Sequence, residues 1–269
     1  MRCIELFFIT GDTHGRIDIH KLNTANFPVQ KELTRDDYVI VCGDFGFVWA
    51  NDKEDLWWQK WLADKPFTTL FVDGNHENHD LLAEYPVSEW NGGKVHYIQP
   101  NVIHLMRGQV FDIAGAKFFT MGGATSHDKE LRVEGVSWWA NEMPSSDEFA
   151  EAERNLEAVG WKVDYVITHD APTSIQAYLG AGRFIPDELN AFFERLLDKL
   201  CFDKWFFGHY HQDVPMGRFR VIYNDIIMVE KEREFFQESV GSKIEKAMNV
   251  FELIDKYEDF KNTRDFEKD

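Results

Sequence analysis

Carboxylate and imidazole side chains recur in five short turns, each set directly behind an apolar run. The turns are Gly11-Asp12-Thr13-His14-Gly15, Gly43-Asp44-Phe45-Gly46, Asp73-Gly74-Asn75-His76-Glu77, Thr168-His169-Asp170 and Gly208-His209-Tyr210-His211. Residues two apart in an extended segment project to the same side, so Asp12 and His14 can converge on one point. That spacing suits a metal ion. One such turn alone reads as an ordinary Gly-Asp turn with a surface histidine, whereas five read as a constellation. Asp12, His14, Asp44, Asn75, His169, His209 and His211 offer more oxygen and nitrogen donors than a four-coordinate ion takes. Two ions are implied, and a carboxylate such as Asp44 can bridge them because both its oxygens can bind.

The elements that must position these groups follow from periodicity. Residues 4–9, 38–42, 69–72, 163–167 and 205–207 are strand-like runs rich in branched and aromatic residues. Helical patterns fill much of the space between them. One spans Asn51 to Asp64, where Trp57 with Trp61 and Trp58 with Leu62 pair at i,i+4 as a packing face. Others run from His79 to Tyr85, from a cap at Ser145 or Ser146 to about Val159, and from Asp187 to Leu200. In open sheets built this way, ligands gather outside the carboxyl ends of the strands, so the five turns should share one edge.

Between Val95 and Gly122 short alternating segments punctuated by Gly108 and Gly115 predict a second, antiparallel sheet, with His96 and His104 as structural residues. Residues 219–223 and 226–230 are expected to form a closing hairpin around Asn224-Asp225. The stretch from Gly123 to Ser146 is polar and aperiodic. With Trp138 and Trp139 in it, it reads either as a lid or as an anchored surface loop. Ile244, Ala247, Met248, Phe251 and Ile254 stand at helical spacing and predict an amphipathic carboxy-terminal helix, with a frayed charged end from about Lys261.

In this order the five blocks resemble the calcineurin-like metallophosphoesterases, over the chain from Gly11 to His211. The resemblance implies a two-sheet α/β sandwich flanked by helices, here as one domain over 1–269 with a helical extension at 231–269. It puts Asp12, His14 and His211 on one metal and Asn75, His169 and His209 on the other, with Asp44 between them and His76 facing the substrate as a non-ligand. Two divalent or trivalent ions, of manganese, iron or zinc, would then leave a net positive well that holds phosphate oxygens and generates hydroxide near neutral pH. Hydroxide would attack phosphorus in line while His76 donates to the leaving alkoxide.

The expected reaction is hydrolysis of a phosphomonoester. The enzymatic alternative is a phosphodiesterase acting on nucleotides or cyclic nucleotides, and the alternative of another class is a non-catalytic metal-binding scaffold. The chain departs from the protein-phosphatase branch after Gly43-Asp44, where Phe45-Gly46-Phe47-Val48-Trp49 replaces a motif that continues to an Asp and an Arg. That leaves Asp73, Glu77 or Asp170 to orient His76. Arg16, Arg107, Arg132 or Arg183 would clamp phosphate, with Arg16 and Arg132 favoured by their position.

Length and charge bound the remaining choices. The 269 residues, 44% of them hydrophobic, suit one core that folds without disulfides. With 29 basic against 47 acidic residues the formal charge is -18, which repels nucleic-acid backbones and acidic membranes. The expected partners are therefore small phosphorylated molecules or phosphopeptides rather than long nucleic acid or membrane. Cys3, Cys42 and Cys201 are odd in number and scattered, and read as reduced core thiols. The first apolar run lacks a cleavage site and no window approaches the ~18 apolar residues of a membrane span, so a cytoplasmic address is expected.

Overall fold

A computed structural model describes residues 5–229, so the expected helix near residues 243–257 and the charged tail lie outside the described residues. The chain first lays down β1 (Phe7–Thr10), β2 (Tyr38–Cys42), β3 (Thr68–Val72), β4 (Val87–Trp90), β5 (Gly93–Gln99) and β6 (Val102–Leu105). It then builds β7 (Gln109–Ile113), β8 (Ala116–Met121), β9 (Tyr165–Thr168), β10 (Lys204–Phe207), β11 (Val214–Met216) and β12 (Phe219–Val221), and returns with β13 (Ile226–Val229). Two sheets result, ordered β13-β1-β2-β3-β6-β5-β4 and β11-β12-β10-β9-β8-β7.

Strands buried on both faces need apolar residues at nearly every position, which explains the unbroken runs. Alternate residues face opposite ways. Phe7, Ile9, Ile40, Leu70 and Val72 meet Phe111, Phe118, Tyr165, Ile167 and Phe206 in the layer between the sheets. Phe8, Val39, Val41 and Phe71 turn outward onto Leu22, Phe27 and Leu62, and Met121, Val166, Trp205 and Phe207 turn outward onto Leu156, Leu189, Phe192 and Phe193. The molecule is thus an α/β sandwich of two mixed sheets flanked by helices, as the sequence implies.

The helices start where short polar side chains can cap them. In α1 (Lys53–Ala63) the Asp52 carboxylate accepts from the amides of Glu54 and Asp55. The brief α2 (His79–Ala83) is capped by Asn78. In α3 (Ser146–Ala158), Ser145 and Glu148 form a reciprocal capping box. Because the Ser145 hydroxyl satisfies an otherwise orphaned amide, Ser145→Ala should cost about 1 kcal/mol; a shift in the urea midpoint at constant slope measures it. The sequence reading missed α4 (Thr173–Gly180), while the helix expected from Asp187 to Leu200 forms as α5 (Glu188–Leu196), shorter at its end and capped by Asp187.

Four expectations are corrected. The closing hairpin does not form: β12 runs parallel to β10, and β13 runs antiparallel to β1 in the other sheet. The Asp213 carboxylate accepts from the amides of Tyr223, Asn224 and Asp225 and fixes this stretch as a crossing between sheets. The second sheet begins at Gln109, since residues 95–105 complete the first one. Cys201 is exposed, unlike buried Cys42. Trp57 is 56% exposed, so the α1 packing face is carried by Trp58 and Trp61.

Candidate metal centre

The parallel strands β1, β2 and β3 of one sheet and β9 and β10 of the other all end at the same edge, each releasing one of the five turns. There Asp12, His14, Asp44 and His211 bring four donor atoms within 4.8 Å of one another. His14 Nε2 lies 3.1 Å from Asp44 Oδ2, and His211 Nε2 lies 3.4 Å from Asp12 Oδ2. A second set adjoins on the far side of Asp44. His169 Nε2 is 3.2 Å from Asp44 Oδ1 and 3.2 Å from Asn75 Oδ1, and the His209 ring centroid is 5.0 Å from that of His169.

These turns are not extended. His14, Asp44, His209 and His211 have φ of 42°, 47°, 66° and 50°, a left-handed backbone that is uncommon outside glycine and costs of order 1 kcal/mol or more each. Tertiary hydrogen bonds hold them: the amides of Thr13 and His14 donate to the Asp44 carbonyl, and the His209 amide donates to the Asp12 carboxylate. Side chains and backbone approach closely here. A Cβ on Gly74 would stand 2.1 Å from Asp44 Oδ1, and one on Gly208 would stand 2.0 Å from Asp12 Oδ1.

Outer contacts aim the imidazoles. The Asp18 carboxylate is 2.7 Å from His14 Nδ1, and the Cys42 carbonyl is 2.8 Å from His169 Nδ1, which leaves each Nε2 facing the cluster. Lys21, which sequence reasoning missed, is buried and donates to the carbonyls of Gly11 and Asp12 at 3.0 and 2.7 Å; burial lowers its pKa to about 8. No signal in the polar stretch around it singled it out.

The electrostatics fit a cation site. Burial raises the Asp12 carboxyl above its ordinary range. Burial works the same way on Asp44, yet the imidazoles of His169 and His14 hold it well below that range. The same contact lifts His169 to about 10 against its own burial. Asp44 therefore draws positive charge toward itself from the surrounding imidazoles. Oxygen and nitrogen donors gathered this way suit a divalent or trivalent cation.

Of the other candidates, His76 lies at the rim of the cluster. Its amide donates to Asp44 Oδ1 at 2.8 Å and its ring packs edge-on to His14. None of the three acids orients it. Asp73 binds Arg107 and His104, Glu77 accepts from the amides of Phe45 and Gly46, and Asp170 accepts from the Tyr210 hydroxyl. Instead Arg132 places Nη2 3.4 Å from His76 Nε2. Arg16 does not join the cluster: it is 71% exposed and pairs with Glu54 at 3.3 Å, because the turn after Gly15 carries it outward. Arg107 is committed to Asp73, and Arg183 bonds the Gly180 carbonyl.

A family model described as calcineurin-like phosphoesterase matches residues 6–213, a span that holds every block from Asp12 to His211. The chain belongs to the calcineurin-like phosphoesterases. This family typically holds a dinuclear metal site, and the Asp-His cluster supplies donors for one. Among its curated relatives, lariat debranching enzyme A of Xenopus laevis is 25% identical over 188 residues, 63% of this chain and 34% of the relative. The lariat debranching enzyme of Schizosaccharomyces pombe is 27% identical over 181 residues, 66% of this chain and 34% of the relative, and that of Gallus gallus is 24% identical over 240 residues, 76% and 42%. The chain thus spans about a third of the length of the first relatives it matches. Among the described residues of this phosphoesterase, no helix is long and apolar enough to cross a membrane.

Proposed function

We propose that this chain is a phosphoester hydrolase with a two-ion centre, in which Asp12, His14 and His211 hold one ion, Asn75, His169 and His209 the other, and Asp44 bridges. The observation that carries this is the placement of Asp44, whose two oxygens face opposite sets of imidazoles: Oδ2 toward His14 and Oδ1 toward His169. Two such ions, when bound, attract phosphate oxygens and make a water acidic enough to attack near neutral pH. The chain's own groups do the rest. Arg132 presents its guanidinium beside His76, so a phosphate seated there accepts from Arg132 on a non-bridging oxygen. His76 Nε2 faces a donor in Arg132, so it protonates the leaving oxygen once a bound phosphate draws that guanidinium onto itself and the ring holds a proton at Nε2. Residues 123–146, pinned through Arg107, Trp139 and Thr125, serve as an anchored loop that carries Arg132 to the substrate, in a single domain with a cytoplasmic address.

The sequence alone favours a phosphomonoester. Two observations move the preference to a phosphodiester, which carries one negative charge where a monoester dianion carries two. Among the described residues, Arg132 is the one arginine of the four candidates beside the cluster. In addition, the relatives are named for debranching, the cutting of a branch linkage, and the linkage a phosphoesterase would cut in a branched chain is a diester. That naming also weighs against the inference from net charge that a long nucleic acid is an unlikely partner.

The test is the rate on a bis-aryl phosphate against the matching mono-aryl phosphate, with manganese, iron(II) or zinc supplied. A faster diester rate, abolished by chelator and restored by metal, is expected. A faster monoester rate returns the first reading, and no hydrolysis with any of the three ions overturns both in favour of a scaffold.

A further inference from the structure

The donors around Asp44 are braced from different parts of the chain. On one side, Asp18 holds His14 at 2.7 Å, and the His211 ring stacks on Tyr223 at 4.7 Å between centroids. On the other, two of the three donors are braced from the aperiodic stretch after β8. Asn75 Nδ2 donates to the Ser126 hydroxyl at 3.2 Å. Ser126 in turn gives its hydroxyl proton to Glu142 Oε2 at 2.7 Å and its amide proton to Oε1 at 2.8 Å. With its proton committed to a buried carboxylate, the hydroxyl can only accept from Asn75. That locks the Asn75 amide with Oδ1 toward His169 Nε2.

His127 braces His209 in the same way. The two Nε2 atoms lie 3.3 Å apart, so one carries the proton and the other accepts it. The His127 ring is itself stacked on Phe184, 5.3 Å between centroids and 21° from parallel. The segment bearing these residues is pinned at several points. Arg107 Nη2 donates to the carbonyls of Asn141 and Glu142, Trp139 Nε1 donates to Asp80, and the Thr125 hydroxyl bonds Asp187.

We infer that residues 126–142 are a metal-retention element acting on one half of the centre. Ser126 with Glu142, and His127 with Phe184, set the affinity of the Asn75/His169/His209 position and leave that of the Asp12/His14/His211 position unchanged. This rests on the two-ion reading above. Glu142 and His127 are positioning residues, since they touch donors rather than substrate. Groups that orient a ligand side chain are typically worth about 10- to 100-fold in metal affinity.

The experiment is a manganese(II) titration of the chelator-stripped full chain, with bound ion counted by mass spectrometry after gel filtration. Wild type should take up two equivalents. Glu142→Gln and His127→Phe should keep one equivalent at wild-type affinity and bind the second about 10- to 100-fold more weakly. His127→Phe keeps the stacked ring and sits at an exposed position, so it reports even if the buried Glu142→Gln variant misfolds. Asp18→Asn should weaken the other equivalent, and its combination with His127→Phe should weaken both. Two equivalents at wild-type affinity in His127→Phe, or loss of both together, overturns the assignment while the two-ion reading stands. Fewer than two ions on wild type overturns that reading, and the assignment with it.

Discussion

Asp44→Asn should leave a folded protein with turnover reduced by at least about 10³-fold, the scale seen when a group that acts as a unit with others is removed. The fold should survive for reasons visible around the residue. Asparagine tolerates the left-handed backbone that Asp44 adopts at φ 47°. The carbonyl that accepts from Thr13 and His14 is unchanged, and an amide oxygen at Oδ1 can still accept from the His76 amide. What is lost is the charge and one of two acceptor oxygens, on the residue that faces His14 with one and His169 with the other. Steady-state rates on the preferred aryl phosphate, beside a thermal melt of the same preparation, check it. Near-wild-type turnover in a metal-loaded variant would refute the bridging role.

The largest stability effect is expected at Arg107. It lies between β6 and β7, where the chain passes from one sheet to the other, and it grips Asp73 at the end of β3 with Nε at 2.8 Å and Nη2 at 2.6 Å. Both residues are buried. Burial alone would raise the Asp73 carboxyl, but Arg107, together with His104 and His79, holds it well below the ordinary carboxylate range.

Arg107→Met keeps much of the side-chain volume and leaves that carboxylate without its guanidinium, a change that typically costs about 3–5 kcal/mol. The sign of the pH dependence follows. A depressed carboxyl pKa contributes stability that is complete above the unfolded value, near 3.9, and is lost as pH falls through the folded one. The deficit of the variant should therefore be largest near neutral pH and should narrow in acid, where Asp73 takes up a proton. Urea midpoints at neutral and acidic pH measure it, and a deficit that does not change with pH would contradict the account.

Much of the centre was readable because of where strands end. Five apolar runs, each followed by Gly, Asp, Asn or His, announce β1, β2, β3, β9 and β10, and the direction shared by parallel strands brings their turns to one edge. The residues that brace the donors were not readable. Ser126, His127 and Glu142 lie in a stretch without periodicity, and Lys21 acts through two backbone carbonyls that no spacing rule points to. Its place directly after the first turn points Arg16 at the site, but the left-handed turn at His14 and Gly15 reverses direction within a residue or two, so adjacency in sequence says little about aim. Local pattern predicts a hairpin around Asn224-Asp225, whereas the crossing that forms there is held by Asp213, ten to twelve residues from the three amides it accepts from. Local propensity cannot see a contact at that separation.

The candidate donors come from both sheets: Asp12, His14, Asp44 and Asn75 follow strands of the first, and His169, His209 and His211 follow strands of the second. Their mutual distances therefore measure the gap between the sheets, and that gap is set by the side chains of the inner layer, Phe7, Leu70, Phe118 and Ile167 among them. Interiors packed to crystal density transmit a change of one methylene. Mutational drift should accordingly be uneven across this molecule. The outer helical layers can repack and keep the chemistry, whereas a volume change in the middle layer alters the bite of the centre before it unfolds anything.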